Sequence, residues 1–200
     1  MGRKVGLTRA QVVAAAADVA DKRGLAEVSL STVAAALGVR TPSLYAHVDG
    51  LTGLRRDVSH RASERLAVYL AAAAEGEPSP VASIRAIAQA YRAFARAHPG
   101  LYAALLPVPR TETDPEWAAK AAAPVEVMTT VLADIGIDPD RNIHLIHTLR
   151  AVLHGFADLE LGGAFGPADP VDASFEAALD LVILALVGPA PPPSSARQQD

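Results

Sequence analysis

The chain has 200 residues, is 50% hydrophobic and 4% aromatic, and 42 of its residues are alanine, so it holds ample apolar material for a packed core and too much for a disordered chain. It has no cysteine, which excludes a disulfide scaffold, a thiolate metal site and a cysteine nucleophile, and no apolar run reaches the ~18 residues of a membrane span. The net charge of −4 divides unevenly: residues 1–65 carry 10 Lys and Arg against 6 Asp and Glu, for +4, and residues 66–200 carry 8 against 16, for −8. A basic N-terminal segment on an acidic remainder points to a polyanion-binding end. Alanine is the best helix former, and its blocks at 14–17 and 71–74 make an all-α chain the expectation. The basic residues 1–6 lead into Thr8-Arg9-Ala10-Gln11 rather than an apolar signal core, so a cytoplasmic protein without a membrane partner is expected.

Residues 8–23 read as the first helix, with Thr8 as cap, Gln11 completing a capping box, and Val12, Val13, Ala16, Val19 and Ala20 as the apolar stripe. Gly24 ends it in the left-handed conformation common after a helix. Ser29 caps a short helix over 30–37, with Leu30, Val33, Ala34 and Leu37 on one face and Gly38 as its stop. Thr41 is then read as the cap of a third helix over 42–48, with Pro42 in the first position, where its missing N–H is not needed. Asp49-Gly50 breaks it, and a longer helix follows over 51–74 through Leu54, Val58, Ala62, Leu66 and Leu70. The Glu, Gly, Pro and Ser of 75–80 form a linker. Further helices are expected over 81–97, 101–106, 116–135 with a bend at Pro124, 140–161 and 171–187. Breaks at 98–100, 107–115, 136–139 and 162–170 separate them, and 189–200 reads as a frayed, proline-containing tail.

Gly38 has Ala34 four residues before it and Leu44 six after it, the spacing of a helix-turn-helix. Ala34 is small where the second helix crosses, Gly38 allows the tight turn, and Leu30, Val33, Val39 and Leu44 lock the pair. The outward residues Arg40, Thr41, Pro42, Ser43, Tyr45 and His47 would then enter the major groove of double-stranded DNA. An ordinary helix–glycine–helix corner is the competing reading. The cations Arg3, Lys4, Arg9, Arg40, Arg55 and Arg56, all expected to face phosphate, favour DNA.

The stretch Leu30-x-x-Val33-Ala34-x-x-x-Gly38-Val39-x-x-x-x-Leu44-Tyr45-x-His47-Val48, after a capped helix ending at Gly24, resembles the TetR family of one-component bacterial regulators. The specific resemblance covers 8–54. Beyond it lie helix order and length, and a weaker likeness of His98-Pro99, of Leu153-His154-Gly155-Phe156 and of Leu159-Glu160 to a common C-terminal variant. The resemblance implies an all-α homodimer with a helix-turn-helix DNA-binding domain over 1–54, a ligand-binding and dimerisation domain over 55–188, and the tail at 189–200. It implies that Tyr45 and His47 contact phosphates, that Thr41, Pro42 and Ser43 approach base edges, that Arg40 meets a base or a phosphate, and that Ser29 and Thr32 lie near the DNA backbone. Many members carry a Lys three or four residues after the His; here Leu51 and Thr52 follow, and Arg55 or Arg56 would have to replace that contact. Arg40 alone is well placed for a guanine, a contact worth roughly 1–3 kcal/mol of discrimination, so DNA shape must contribute to a roughly palindromic operator.

In the C-terminal part, His147, Arg150, His154 and Asp158 share one face of the 140–161 helix. Three readings stand side by side: a ligand-pocket wall, a metal site for which only His144 and His147 have pair spacing, and a structural stripe partly exposed or bonded between helices. Tyr91, Phe94, Tyr102, Trp117 and Met128, with Phe156, are the large side chains available to line a small-molecule cavity or to pack as plain core. Phe175, Leu179, Val182, Ile183 and Leu186, with Leu149, Val152, Phe156 and Leu159, would form either one face of a four-helix dimer bundle or the chain's own core. The leading expectation is a ligand-responsive transcriptional regulator, a repressor released from its operator by a small-molecule effector, without catalytic residue, metal or cofactor. The alternatives are a helical-bundle enzyme using His147, His154 and Asp158 as acid–base groups, or an interaction module with a degenerate head, for which Leu51 is the hint. The enzyme lacks a phosphate loop, nucleophile elbow or Glu-x-x-His pair to support it.

Overall fold

Local capping chemistry sets the start of the first two helices in this computed structural model, which describes residues 6–105, 115–135 and 139–187. Most of the expected loop at 107–115, the break at 136–139 apart from Pro139, and the tail at 189–200 lie outside the described residues. Helix α1 (Arg9–Arg23) begins at Thr8, whose hydroxyl accepts the Gln11 N–H while the Gln11 side chain accepts the Thr8 N–H. Gly24 closes it with φ 92° and ψ 152°, so φ is positive as expected but the chain leaves extended, into a single 3₁₀ turn over Leu25–Glu27. Helix α2 (Leu30–Leu37) repeats the device with Ser29 and Thr32, and Gly38 ends it in the left-handed region at φ 66° and ψ 28°. The Gly38 N–H bonds to the Ala35 carbonyl and the Val39 N–H reaches back to the Ala34 carbonyl at 3.0 Å, a Schellman closure that turns the chain sharply.

The third element is shorter than its sequence pattern. Thr41–Leu44 form one 3₁₀ turn whose cap is Arg40 rather than Thr41, followed by further turns to His47. Pro42 has no N–H to give, Ser43 bonds to the Arg40 carbonyl at 2.9 Å, and His47 and Val48 both bond to the Leu44 carbonyl, so no continuous α ladder forms. Helix α3 (Gly50–Ala74) then runs about 37 Å out of this head, burying Leu54, Val58, Ala62, Leu66 and Leu70 in sequence. The body adds α4 (Pro80–Ala97), α5 (Pro99–Ala104), α6 (Pro115–Ala133, with Pro124 inside it), α7 (Pro139–Leu161) and α8 (Val171–Val187). Helix α3 packs on α1 in the head and on α4, α5 and α6 in the body, and α4 also meets α7 and α8. The described residues thus form an all-α fold of a helix-turn-helix head on a helical bundle. Among them, no helix is long and apolar enough to cross a membrane.

Head and body share one core, from Val12, Ala16, Val33 and Leu44 through Leu54 and Val58 to Ile87, Phe94, Leu132, Leu149 and Phe175. A brace at the root of α3 and a joint between α1 and α5 hold them besides α3 itself. Arg9 of α1 forks onto Asp57 of α3 through Nε and Nη2 at 2.8 and 2.6 Å. The first turn of α5 lies directly on the end of α1: a Cβ on Gly100 would stand 2.0 Å from the Ala20 carbonyl carbon, so only glycine fits. Within the body, Arg92 of α4 lies over the rings of Phe156 and Phe175 and pairs with Glu160 and Asp172, fastening α4 to α7 and α8.

Candidate functional site

The 3₁₀ turn after Gly38 sorts its side chains into a buried row and an outward row. Leu44 and Val48 are buried against the head core, which fixes the turn on its scaffold. Arg40, Pro42, Ser43 and Tyr45 are exposed, Tyr45 by 62%, and Thr41 and His47 are half-buried beside them. An exposed tyrosine flanked by an arginine and small hydroxyls has no packing reason to face water, and its phenol, guanidinium and hydroxyls are all able to bond to a phosphate or a base edge. Ser29 and Thr32 stand at the N-terminus of α2, their hydroxyls engaged in its cap; Thr32 Oγ1 lies 2.8 Å from the Glu27 carbonyl. Arg55 covers the same end of α2, its Nη2 donating to the Val28 carbonyl at 3.4 Å, and is otherwise exposed. It therefore stands beside the position where Leu51 leaves a cation missing. Arg9, expected among the phosphate-facing cations, is instead committed to Asp57 because a buried carboxylate needs a partner. Arg3 and Lys4 lie outside the described residues.

A second cluster forms where α4, α5 and α7 meet. The Tyr102 hydroxyl is in hydrogen-bond contact with His154 Nδ1 and lies 3.1 Å from the His154 carbonyl, and the Tyr91 hydroxyl stands 3.4 Å from the same Nδ1. The two phenol rings meet edge to face with centroids 6.1 Å apart. Arg150 and Asp158 lie one turn of α7 either side of His154 and are exposed. Burial pushes both phenols above the ordinary tyrosine value, with the Arg150 charge opposing it. Burial also holds the His154 imidazole below the usual histidine value, Asp158 working against this and Arg150 with it. The cluster is therefore a neutral, hydrogen-bonding patch flanked by one charge of each sign.

Of the expected pocket residues, the structure brings together Tyr91, Tyr102, Arg150, His154 and Asp158. The remainder fall elsewhere. Phe94 is fully buried against Tyr69 and His98, at centroid distances of 5.3 Å from each. Met128 lines a small apolar cavity with Ile84, Ile87, Val131, Leu132 and Leu149, next along α4 from Tyr91. His147 is exposed, and the side chain of Trp117 lies outside the described residues. Among the described residues no group of three His, Asp or Glu is gathered to hold a metal ion. Several side chains expected on a dimer face, Leu149, Phe175, Leu179, Val182 and Ile183, lie instead in the chain's own core, because α7 and α8 turn them onto α4 and α6. The large apolar residues left exposed on α7 and α8, among the described residues, are Ile143, Leu159, Leu161, Leu181 and Leu184.

Two functional groupings escaped the sequence reading. Arg92 follows Ala88 by one turn on the inward stripe of α4, and a charge at a core position was the available signal. Asp21 of α1 and Tyr69 of α3 meet at His98, between α4 and α5; the sequence marks His98 only through the His98-Pro99 likeness, and nothing local to Asp21 marks it.

A basic helix-turn-helix head on a helical body with a buried polar cluster defines a DNA-binding regulator with an attached sensing domain. Residues 84–182 match the family model described as Tetracyclin repressor-like, C-terminal domain. Over 175 residues, 88% of this chain and 79% of the relative, the chain is 32% identical to the uncharacterized HTH-type transcriptional regulator Rv0681 of Mycobacterium tuberculosis. Its fold is similar to that of a protein of unknown function from Rhodococcus sp. RHA1, with a TM-score of 0.78 at 25% identity over 94% of this chain and 99% of that one. It is also similar to the Streptomyces coelicolor TetR family protein ActR in complex with (S)-DNPA, with a TM-score of 0.70 at 20% identity over 93% and 100%. The chain belongs to the TetR family of ligand-responsive, DNA-binding transcriptional regulators.

Proposed function

We propose that the protein is a repressor: a homodimer whose heads, residues 1–54, each read one half of a palindromic operator, and whose bodies, residues 55–188, release it when a small molecule binds. The observation that carries the DNA interface is the exposed ridge of Arg40, Pro42, Ser43 and Tyr45, backed by the buried Leu44 and Val48. In this reading Tyr45 and His47 hold phosphates, Thr41, Pro42 and Ser43 approach base edges, and Arg40 takes a base or a phosphate. The N-terminus of α2 at Ser29 and Thr32 favours a further phosphate, and Arg55 supplies the cation that Leu51 does not. The effector would enter beside the apolar cavity between α4, α6 and α7 and replace the Tyr102–His154 hydrogen bond. That ActR, of similar fold, was captured with a bound small molecule supports a sensing role for this body. The exposed leucines of α7 and α8 are the face that a second copy would cover.

The test is a salt titration of binding to random-sequence duplex. Affinity should fall steeply and linearly on logarithmic axes, with a slope of about −0.9 per phosphate neutralised. Tyr45→Ala and Arg40→Ala should each weaken binding about three- to tenfold while leaving the melting temperature unchanged. Salt-independent binding, or full affinity in both variants, would overturn the assignment.

A further inference from the structure

We infer that Asp21 and His98 fix the angle of the head on the body and so determine which half-site spacing the dimer accepts, an inference that rests on the dimeric DNA-binding reading above. Helix α3 joins head and body, but one helix leaves the head free to swivel about its axis. The fork of Arg9 onto Asp57 does not remove this freedom, because Asp57 lies near the N-terminal end of α3, where that helix leaves the head. A second, off-axis attachment is needed, and the end of α1 supplies it.

Asp21 lies on α1, in the head, and its carboxylate is spent entirely on the body. Its Oδ1 accepts the Leu101 N–H at 2.9 Å, and its Oδ2 accepts from His98 Nδ1 at 3.0 Å. Helix α5 has no side-chain cap from its own N-cap residue, His98. An acid from the other domain therefore satisfies its first turn and places a negative charge at its positive end. Nδ1–H is the donor to Asp21, and Nε2 of the same ring is in hydrogen-bond contact with the Tyr69 hydroxyl of α3 at 3.2 Å. The His98 ring also packs edge-on to Tyr69, at 5.9 Å between centroids, and against Phe94 at 5.3 Å. One imidazole thus collects α1, α3, α4 and α5. Beneath it the Gly100 backbone rests on the Ala20 carbonyl with no room for a Cβ, so the contact can yield neither by rotamer change nor by compression.

Such a joint holds the head at one rotation. On DNA, one added base pair between half-sites moves the second by about 3.4 Å and turns it by about 35°. A dimer with swivelling heads tolerates both changes; a dimer with latched heads does not. Asp21 and His98 are accordingly positioning residues, which touch no DNA and act on its spacing.

The experiment uses the full-length protein and a duplex library. Random-sequence selection first defines the half-site of the wild type. A second library presents two copies of that half-site with spacers stepped by one base pair. The wild type should favour one spacing by about tenfold or more over its neighbours. Asp21→Ala should select the same half-site bases but bind neighbouring spacings within about threefold of one another. Asp21→Asn should restore the peak, because its amide oxygen still accepts the Leu101 N–H and its NH₂ can meet His98 in the other tautomer. Gly100→Ala, which must push α5 off α1, should move the peak to a different spacing. An unchanged, equally sharp peak in Asp21→Ala overturns the inference, and if that variant does not fold, an unchanged peak in Gly100→Ala does so. A wild type that enriches no half-site at all is a separate failure, that of the DNA-binding reading itself.

Discussion

Arg92 condenses the energetics of the body into one side chain. It is 8% exposed, lies 5.4 Å from the Phe156 centroid and 4.8 Å from that of Phe175, and forks onto Glu160 through Nε and Nη2 at 2.7 and 2.6 Å. The Asp172 pair adds little, because that carboxylate is 87% exposed and water screens it. Arg92→Ala strands Glu160 between helices and removes two cation–ring contacts, so a loss of about 3–5 kcal/mol is expected in urea unfolding. The same pair carries a pH signature. Bonding to Arg92 holds Glu160 below its ordinary value of 4.5. Its contribution is therefore complete above that value and is lost as pH falls through the lower folded value. Glu160→Gln should be less stable than the wild type at neutral pH, and the difference should shrink below about pH 4.

At the scale of elements, what was legible is what is local. Thr8 with Gln11 and Ser29 with Thr32 cap their helices through bonds spanning three residues, so each helix start follows from a few side chains. Ser29→Ala should cost about 1 kcal/mol, read as a lowered urea midpoint with unchanged slope. The element after Gly38 differs because Thr41-Pro42 fits a helix start in isolation, whereas Leu44 and Val48 are held by the head core and Ser43 closes a 3₁₀ turn onto the Arg40 carbonyl. The sites divide in the same way. The outward row from Arg40 to His47 follows from the spacing around Gly38. The polar cluster needed Tyr91 and Tyr102 to meet His154 across 63 and 52 residues, and no sequence period encodes such a meeting. Helical spacing did put Arg150, His154 and Asp158 on one face, whereas Phe94, singled out by its size for a cavity or for plain core, is core turned toward Tyr69 and His98.

At the scale of the molecule, charge and apolar surface divide the labour. The +4 over residues 1–65 covers the head and the adjoining part of α3, and the −8 over 66–200 the rest of the body, so the field favours approach of DNA from one end only. In the body α8 leaves Leu181 and Leu184 exposed by 71% and 68%, and α7 leaves Leu159 and Leu161 exposed. On the dimeric reading proposed above, replacing both Leu181 and Leu184 with Glu should produce a folded monomer in sedimentation, with operator affinity reduced by at least about a hundredfold, since each half-site then binds alone.

The seat of Gly100 on Ala20 also makes the molecule observable one proton at a time. Backbone resting on backbone leaves no partial opening, so the last turn of α1 and the first of α5 should exchange with solvent as one cooperative unit. The Leu101 amide, bonded to Asp21, and the Gly24 amide, bonded to the Ala20 carbonyl at 2.8 Å, lie on opposite sides of that seat. Deuterium uptake at the two should proceed with the same protection factor, and Asp21→Ala should lower both together. Unequal factors in the wild type would mean that the two helices breathe independently.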